Sequence, residues 1–218
     1  MVFELLKEIT MDKKLLQATI TGEAVQPIRL YYQIIDEERL IRSFEQLRCM
    51  DFDNVNDRWV WLYAHESKAL KFMKPYSSIP AELHPIVIGS FFLRNDDELF
   101  LDLRSFERAI EAISFFDKHV GRAVARITHA AVVNRLFDAN EQFVPNLDIF
   151  FGSNEFTEKD TGRRTPEVEK FPVHFYEDGI SSIKLVLRMR QIMACEHWKG
   201  NTDCTLSDVI KRAVYGKM

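Results

Sequence analysis

The clearest alternation of apolar and polar positions lies in residues 86–120. Two apolar runs, 86–93 and 99–103, flank the polar stretch 94–98, a pattern that is typical of a β-hairpin. The first run is apolar at nearly every position, which favours a central strand covered on both faces. After Ser105, a good helix-capping residue, apolar side chains recur every three or four positions. The stretch therefore predicts a hairpin that leads directly into a helix.

A strand–helix–strand unit is predicted upstream of this hairpin. Residues 29–35 are aromatic and β-branched, as strands are. Asp36 is a good N-cap, and the apolar residues after it follow helical spacing. Residues 51–57 hold three aspartates and two asparagines and predict a polar loop. Residues 58–63 then alternate between two faces, with two tryptophans and a tyrosine on one face, where such a stripe is typical of a core strand.

The pattern downstream of the helix is less regular. Residues 123–128 alternate as a strand, whereas 129–137 fit either a continuation of that strand or a helix. Residues 152–170 hold only two large apolar side chains and predict an exposed loop or a disordered insertion. The pattern also predicts short strands at 15–20, 147–151 and 173–176 and a helical C-terminal segment at 181–218.

This order of elements predicts an α+β fold, with a mixed, mostly antiparallel sheet on which helices pack. We expect ferredoxin-like split βαβ elements with extra strands, a comparison of topology that carries no function. A chain of 218 residues that is 46% hydrophobic can bury a core, so residues 1–218 are expected to form a single domain. The sequence leaves open whether Met1 or Met11 is the natural start.

Composition narrows the classes of function. A net charge of −4 gives no electrostatic signature for nucleic acid or for an anionic membrane, and neither partner is expected. No apolar run approaches the ~18–20 residues that cross a bilayer, and the N-terminus has no signal-peptide pattern. The three cysteines, Cys49, Cys195 and Cys204, lack the spacing of a disulfide framework. Reduced thiols and a cytoplasmic location are therefore expected.

Catalytic and metal-binding motifs are not found, and the sequence leaves open whether the protein is an enzyme. The eight glycines are scattered singly, so there is no phosphate-binding loop, and neither G-x-S-x-G nor H-E-x-x-H occurs. Cys195 and His197 would point to different sides of a helix, which argues against zinc. The acidic stretches 51–57 and 96–98 lack the glycine and the final glutamate of a calcium loop. We predict no metal and no cofactor.

One set of polar donors predicts a site for an anion. Arg104 ends a predicted strand at the start of a helix, and Arg126 lies inside a strand, where a charge needs a partner. If the two strands are neighbours, the donors converge near the N-terminus of that helix, a place that suits a carboxylate or a phosphate. The alternative is that the arginines neutralise structural carboxylates such as Asp102 or Asp138. The candidate anion-binding residues are Arg104, Arg126, His129, Asn134 and Arg135.

These observations predict a soluble cytosolic binding or scaffold protein without catalytic activity. A sheet face or a helix groove would contact a protein partner, or a second copy of the chain in a dimer. The alternative is an enzyme or a binder of a small anionic ligand that bears a phosphate or a carboxylate.

Overall fold

The computed structural model describes residues 15–94, 98–152, 167–173 and 179–215. The strands in these ranges are β1 Ile28–Ile34, β2 Met50–Asp53, β3 Arg58–Leu62, β4 Val87–Arg94, β5 Glu98–Leu103, β6 Ala125–Val133 and β7 Val168–Pro172. The helices are α1 Glu37–Gln46, α2 Phe106–His119, α3 Asp148–Phe151, α4 Gly179–Trp198 and α5 Leu206–Tyr215. Three short 3₁₀ turns, His65–Ala69, Tyr76–Ser78 and Ala81–Leu83, connect β3 to β4. None of the described helices is long and apolar enough to cross a membrane.

The strands form one seven-stranded sheet in the order β2-β3-β4-β5-β1-β6-β7. Every neighbouring pair is antiparallel, and the α+β prediction is confirmed. Strand β1 lies between β5 and β6 and is antiparallel to both, so β5 and β6 run in the same direction. Helix α2 connects these two strands, and it therefore carries the chain back along the sheet before β6 begins.

Local signals explain where the two central helices begin and end. Asp36 caps α1 by accepting a hydrogen bond from the Arg39 N–H at 3.0 Å. Ser105 caps α2 by accepting the Arg108 N–H at 3.1 Å. Gly121 follows α2 with φ +83°, the left-handed conformation that favours glycine after a helix. Both helices lie where apolar periodicity and capping residues predict them.

Alternating side chains give the sheet two different faces, because successive residues of a strand point in opposite directions. Ile28, Leu30 and Tyr32 of β1 belong to the main core, which also contains the buried residues of α1 and α2. We call this side the helical face. Trp61 is completely buried in the same core, in agreement with the core interpretation of the aromatic stripe. Arg29 and Tyr31 point to the other side, the opposite face.

The segment that follows β6 covers the opposite face. A second apolar cluster joins Tyr31 and Phe100 of the sheet to Phe137, Leu147 and Phe151 of this segment. The centre of the sheet is thus covered on both faces, as the apolar run in β4 predicts. The ends of β4 are less covered than its centre, since Val87 and Leu93 are 42% and 40% exposed.

Three local predictions are wrong. Residues 51–57 are not wholly a loop, because Met50–Asp53 form β2, where Phe52 packs on its cross-strand partner Trp59 with ring centroids 5.1 Å apart. The predicted strand at 147–151 is the short helix α3, which starts where Asn146 accepts the Asp148 N–H at 2.9 Å. With the described residues, the predicted strand at 15–20 makes isolated bridges only, of Leu16 with Asp138 and of Ala18 with Ala24.

The secondary structure predicted for the chain after residue 128 can be compared with the structure only where residues are described. Residues 129–133 continue β6, so the strand alternative holds there. Of the predicted loop 152–170, residues 153–166 lie outside the described residues, and residues 168–170 belong to β7 and are not loop. The predicted edge strand at 173–176 falls largely on residues 174–178, which also lie outside them. The C-terminal segment is helical in α4 and α5.

Candidate functional site

A buried ion pair lies at the centre of the opposite face. Arg29 of β1 stands directly opposite Asp102 of β5. Its Nε and Nη2 donate to the two carboxylate oxygens of Asp102 at 2.6 and 2.8 Å, and the Arg29 side chain is only 2% exposed. Burial alone would lower the pKa of Arg29, but the hydrogen bond and charge of Asp102 and the hydrogen bond of Asp148 raise it. Asp102 is thereby committed to an internal partner.

The ion pair extends to α3 and fixes that helix over the sheet. Arg29 Nη2 also donates to Asp148 at 2.8 Å, and Arg94 of β4 donates to the second oxygen of Asp148 at 2.7 Å. The guanidinium carbon of Arg29 lies 3.8 Å from the ring centroid of Phe100, and that of Arg94 lies 5.1 Å from it. One carboxylate thus ties two strands to the covering segment.

Next to this network, a cleft opens between β4, β5, the start of α2 and residues 145–147. Its volume is about 250 Å³. Apolar residues of β4 and of the covering segment form part of its wall. Its polar lining consists of Arg58, Ser90, Asp102, Arg104, Arg108 and Asn146. Three guanidinium groups therefore face one cleft, and their partners decide whether it carries net positive charge.

Arg104 is bound by backbone carbonyls. Its Nη1 donates to the Val144 carbonyl at 2.7 Å, and its Nη2 donates to the Pro145 carbonyl at 2.6 Å. No carboxylate of the described residues forms an ion pair with it. Burial lowers the pKa of Arg104, an effect that the charge of Asp102 opposes. Arg104 therefore brings an uncompensated charge to the cleft.

Arg108, in the first turn of α2, is almost completely buried, with 3% of its surface exposed. Its Nη2 donates to Thr21 Oγ1 at 2.7 Å, and its Nη1 donates to the Val87 carbonyl at 3.3 Å. Its Nε has no hydrogen-bond partner among the described residues, and Glu23 Oε2 lies 3.7 Å from it. Burial lowers the pKa of Arg108 to about 10, although Glu23 opposes this effect. The buried cation is thus only partly satisfied.

Arg58 of β3 is more nearly balanced. Its Nε donates to Asp53 Oδ2 at 3.0 Å, and its Nη1 donates to Ser90 Oγ at 3.3 Å. Asp102 is occupied by Arg29, and Glu23 lies at ion-pair distance from Arg108. Within the described residues Arg104 is left without a counter-charge, so this part of the chain gives the cleft an excess of positive charge.

Only Arg104 of the predicted anion-binding residues lines this cleft. Arg126 lies at the other end of the sheet, because it pairs with Gln33, whereas Leu103 pairs with Ile28. Five residues of β1 separate the two positions, or roughly 16 Å at the rise of a strand. Arg126 donates to Gln33 Oε1 at 2.8 and 3.1 Å. The expected convergence of Arg104 and Arg126 is therefore wrong.

The other three predicted residues lie along β6 and just beyond it. His129 is half-buried and stands opposite Tyr31 of β1. Asn134 donates to Glu169 Oε2 at 3.2 Å. Arg135 donates to Glu141 and to Glu167, both at 2.7 Å. Structural carboxylates thus neutralise Arg135, as the alternative expected, although Asp138 is not one of them.

Sequence reasoning missed Arg29, Arg58 and Arg108. Arg29 and Asp102 carry a signal in the sequence, since each is a charged residue inside a strongly apolar strand. Arg108 has little such signal, because an arginine in the first turn of a helix is ordinarily exposed and the sequence does not indicate that this one is buried. Among the described residues, no group of three or more His, Cys, Asp or Glu could hold a metal ion.

Comparisons with known proteins do not assign this cleft. No family model, no curated protein and no solved structure matches the chain. The arginines and the shape of the cleft are therefore the features that indicate a function.

Proposed function

We propose that this protein binds a small anionic ligand, bearing a phosphate or a carboxylate, in the cleft between β4, β5 and residues 145–147. One observation carries the proposal: Arg104 faces the cleft and has no carboxylate partner among the described residues, next to the buried and partly satisfied Arg108. A small-molecule site of this kind is a concave pocket with a few converging polar groups.

The energetics favour an anion over a neutral ligand. Two opposite unit charges ~4 Å apart attract by about 4 kcal/mol at the effective dielectric constant of a partly buried site. Guanidinium groups also donate paired hydrogen bonds that match the oxygens of a carboxylate or a phosphate. An anion next to Arg104 would gain both terms, and the positive charge of the neighbouring Arg108 would add to the attraction.

The lining supports binding more than catalysis. Ser90 Oγ accepts from Arg58, and the carboxylate of Asp102 is occupied by Arg29. A nucleophilic serine needs an adjacent base, and the residues that line the cleft within the described chain include no histidine. Of the alternatives that the sequence leaves open, we therefore favour a binder of a small anion over an enzyme and over a scaffold for a protein partner.

Thermal unfolding with and without inorganic phosphate tests the proposal. A ligand that binds only the folded state stabilises it, and tenfold excess over Kd gives about 1.4 kcal/mol. For a chain of this size, that corresponds to an increase in Tm of about 3–6 °C. Sodium chloride at equal ionic strength is the salt control, and succinate is the carboxylate probe.

Two arginine variants show where the anion binds. Arg104→Gln should abolish the phosphate-dependent increase in Tm, and Arg104→Lys should retain part of it. Arg126→Gln is the matched control, because it removes the same side chain at the other end of the sheet. An equal response of the Arg104→Gln variant and the unaltered protein would overturn the proposal.

The finer expectations from the sequence are kept as proposals. The unit β5–α2–β6, with β1 between its strands, supports the ferredoxin-like comparison. The three buried free cysteines support a cytoplasmic location. A single domain over residues 1–218 and a protein partner or dimer stay predictions, and light scattering would decide between a monomer and a dimer.

A further inference from the structure

Ser90 and Asn146, the neutral polar side chains in the described lining of the cleft, have their acceptor atoms occupied. Ser90 Oγ accepts from Arg58 Nη1 at 3.3 Å, and Asn146 Oδ1 accepts the Asp148 N–H at 2.9 Å. A backbone N–H can only donate, so this contact fixes which side-chain atom of Asn146 is the oxygen. Within the described chain, the Ser90 hydroxyl proton and the Asn146 amide N–H groups have no acceptor. Both side chains can therefore donate to a ligand.

Asp102, the carboxylate in the described lining, is engaged as well. Arg29 donates to both of its oxygens, at 2.6 and 2.8 Å. Arg104 adds donors only, since a guanidinium has five N–H groups and no acceptor. The carbonyls of Val144 and Pro145 accept one N–H each from Arg104, and the described residues leave its other N–H groups unused. The lining thus offers unused donors, whereas its acceptors are already bonded.

A ligand group with an O–H of its own is poorly matched to this lining. Hydrogen phosphate and sulfate are tetrahedral anions of the same charge, but hydrogen phosphate has one O–H and sulfate has none. An O–H that leaves water and finds no acceptor lowers the affinity by about tenfold. An ionised carboxylate and the dianion of a phosphate monoester have no O–H, so these groups avoid the loss.

We infer that the anionic group of the ligand has no hydrogen-bond donor, and is an ionised carboxylate or the dianion of a phosphate monoester. This inference rests on the proposed function. Arg104 supplies the charge, and Ser90 and Asn146 donate to the oxygens of the anion. Hydrogen phosphate still binds through its charge, but more weakly. Asn146 determines this specificity, because an acceptor at its position would receive the O–H of hydrogen phosphate.

Titration calorimetry with anions of equal charge tests this inference. At about pH 8.5, sulfate, hydrogen phosphate, methyl phosphate and succinate are all dianions, and only hydrogen phosphate has an O–H. At equal ionic strength, sulfate and methyl phosphate should each bind about tenfold more tightly than hydrogen phosphate. The tighter binder of methyl phosphate and succinate identifies the group as a phosphate monoester or a carboxylate.

The Asn146→Asp variant tests the role of Asn146. Aspartate keeps an oxygen that can accept the Asp148 N–H, and it replaces the amide donor with a second acceptor. All four dianions should bind this variant more weakly, but its preference for sulfate over hydrogen phosphate should fall below about threefold. Asn201→Asp adds the same charge at a residue that does not line the cleft, and it should keep the preference.

The outcomes separate this inference from the proposed function. If hydrogen phosphate binds the unaltered protein as tightly as sulfate or methyl phosphate does, this inference fails while the proposed function stands. A preference for sulfate that Asn146→Asp leaves unchanged would also overturn it. If none of the four anions binds the unaltered protein, both fail.

Discussion

Arg29 and Asp102 face each other across β1 and β5 and form a two-point ion pair inside the sheet. Their side chains are 2% and 9% exposed, so the Asp102 carboxylate depends on Arg29 for compensation of its charge. Asp148 adds a second anion to Arg29 and receives Arg94. The pair therefore holds both the sheet centre and the helix that covers it.

Removal of one partner should be costly, and removal of both should be much less so. We expect Arg29→Met to lower the free energy of unfolding by about 3–5 kcal/mol, because it leaves Asp102 buried without a partner. Asp102→Leu should cost less, since Arg29 keeps Asp148. The double variant should be more stable than the sum of the single effects implies. Urea unfolding of the four proteins measures this coupling.

An exposed ion pair provides the control for this double-mutant cycle, in which the two single variants and the double variant are compared with the unaltered protein. Arg42 and Glu38 pair at 2.7 Å on the surface of α1, with side chains 58% and 82% exposed. Their coupling should be only about 0.3–0.5 kcal/mol, because water and salt screen them. Equal coupling energies for the two cycles would show that burial does not strengthen the Arg29–Asp102 interaction.

Much of the fold could be predicted because local signals coincide with the apolar pattern. Asp36 and Ser105 start helices, and the runs on either side of residues 94–98 form the hairpin. Strand β2 could not be predicted, since its aspartates favour a loop. Packing of Phe52 on Trp59 outweighs that local preference.

The candidate site could be predicted only in part, because it depends on the direction of strands. The sequence pattern predicts Arg104 at the end of β5. It also predicts Arg126 near Arg104, but a strand–helix–strand connection makes β5 and β6 parallel. The end of β5 and the start of β6 then lie at opposite ends of the sheet. The arginines that do join Arg104 come from β3 and α2, and only the three-dimensional arrangement brings them together.

Gly89 of β4 should not tolerate a side chain. A Cβ atom there would lie 2.9 Å from Leu103 Cδ2 and 3.0 Å from Leu101 Cδ1. We expect Gly89→Ala to lower the free energy of unfolding by about 1–3 kcal/mol through overpacking, measured by urea unfolding. The double variant with Leu103→Ala should lose less free energy of unfolding than the two single variants lose together, because the methyl group added at position 89 then has space. Strict additivity would rule out this contact as the cause.

The three cysteines should react slowly in the folded protein. Burial raises the pKa of the Cys49 and Cys195 thiols to about 12, with further contributions from Glu66 and Glu107 respectively, and it also raises that of Cys204. At pH 8, roughly one thiol in ten thousand with such a pKa is ionised. Ellman's reagent should therefore detect almost no thiol before unfolding and three afterwards.

An exposed thiol serves as the positive control for this measurement. Val55 is 92% exposed, so Val55→Cys should add one thiol that reacts at once in the folded protein. Rapid reaction of a native cysteine in the unaltered chain would contradict the burial of all three.

Glu66 connects the first 3₁₀ turn to the residues between α1 and β2. Its Oε2 accepts the Cys49 N–H at 3.0 Å, and its Oε1 accepts Arg48 Nε at 3.2 Å. Burial raises the pKa of Glu66, but its own backbone N–H, Arg48 and Cys49 together lower it to about 2. In the unfolded chain, the pKa of a glutamate is about 4.3.

The stabilisation by Glu66 should therefore depend on pH in a defined window. Because the pKa is lower in the folded state, the contribution is complete above about pH 4.5 and is lost as the pH falls to about 2. We expect Glu66→Gln to lower the free energy of unfolding by about 1–2 kcal/mol more at pH 6 than at pH 2, a value reduced for partial exposure. Urea unfolding of both proteins across this range measures the difference. A difference that stays constant with pH would mean that the charge of Glu66 contributes nothing.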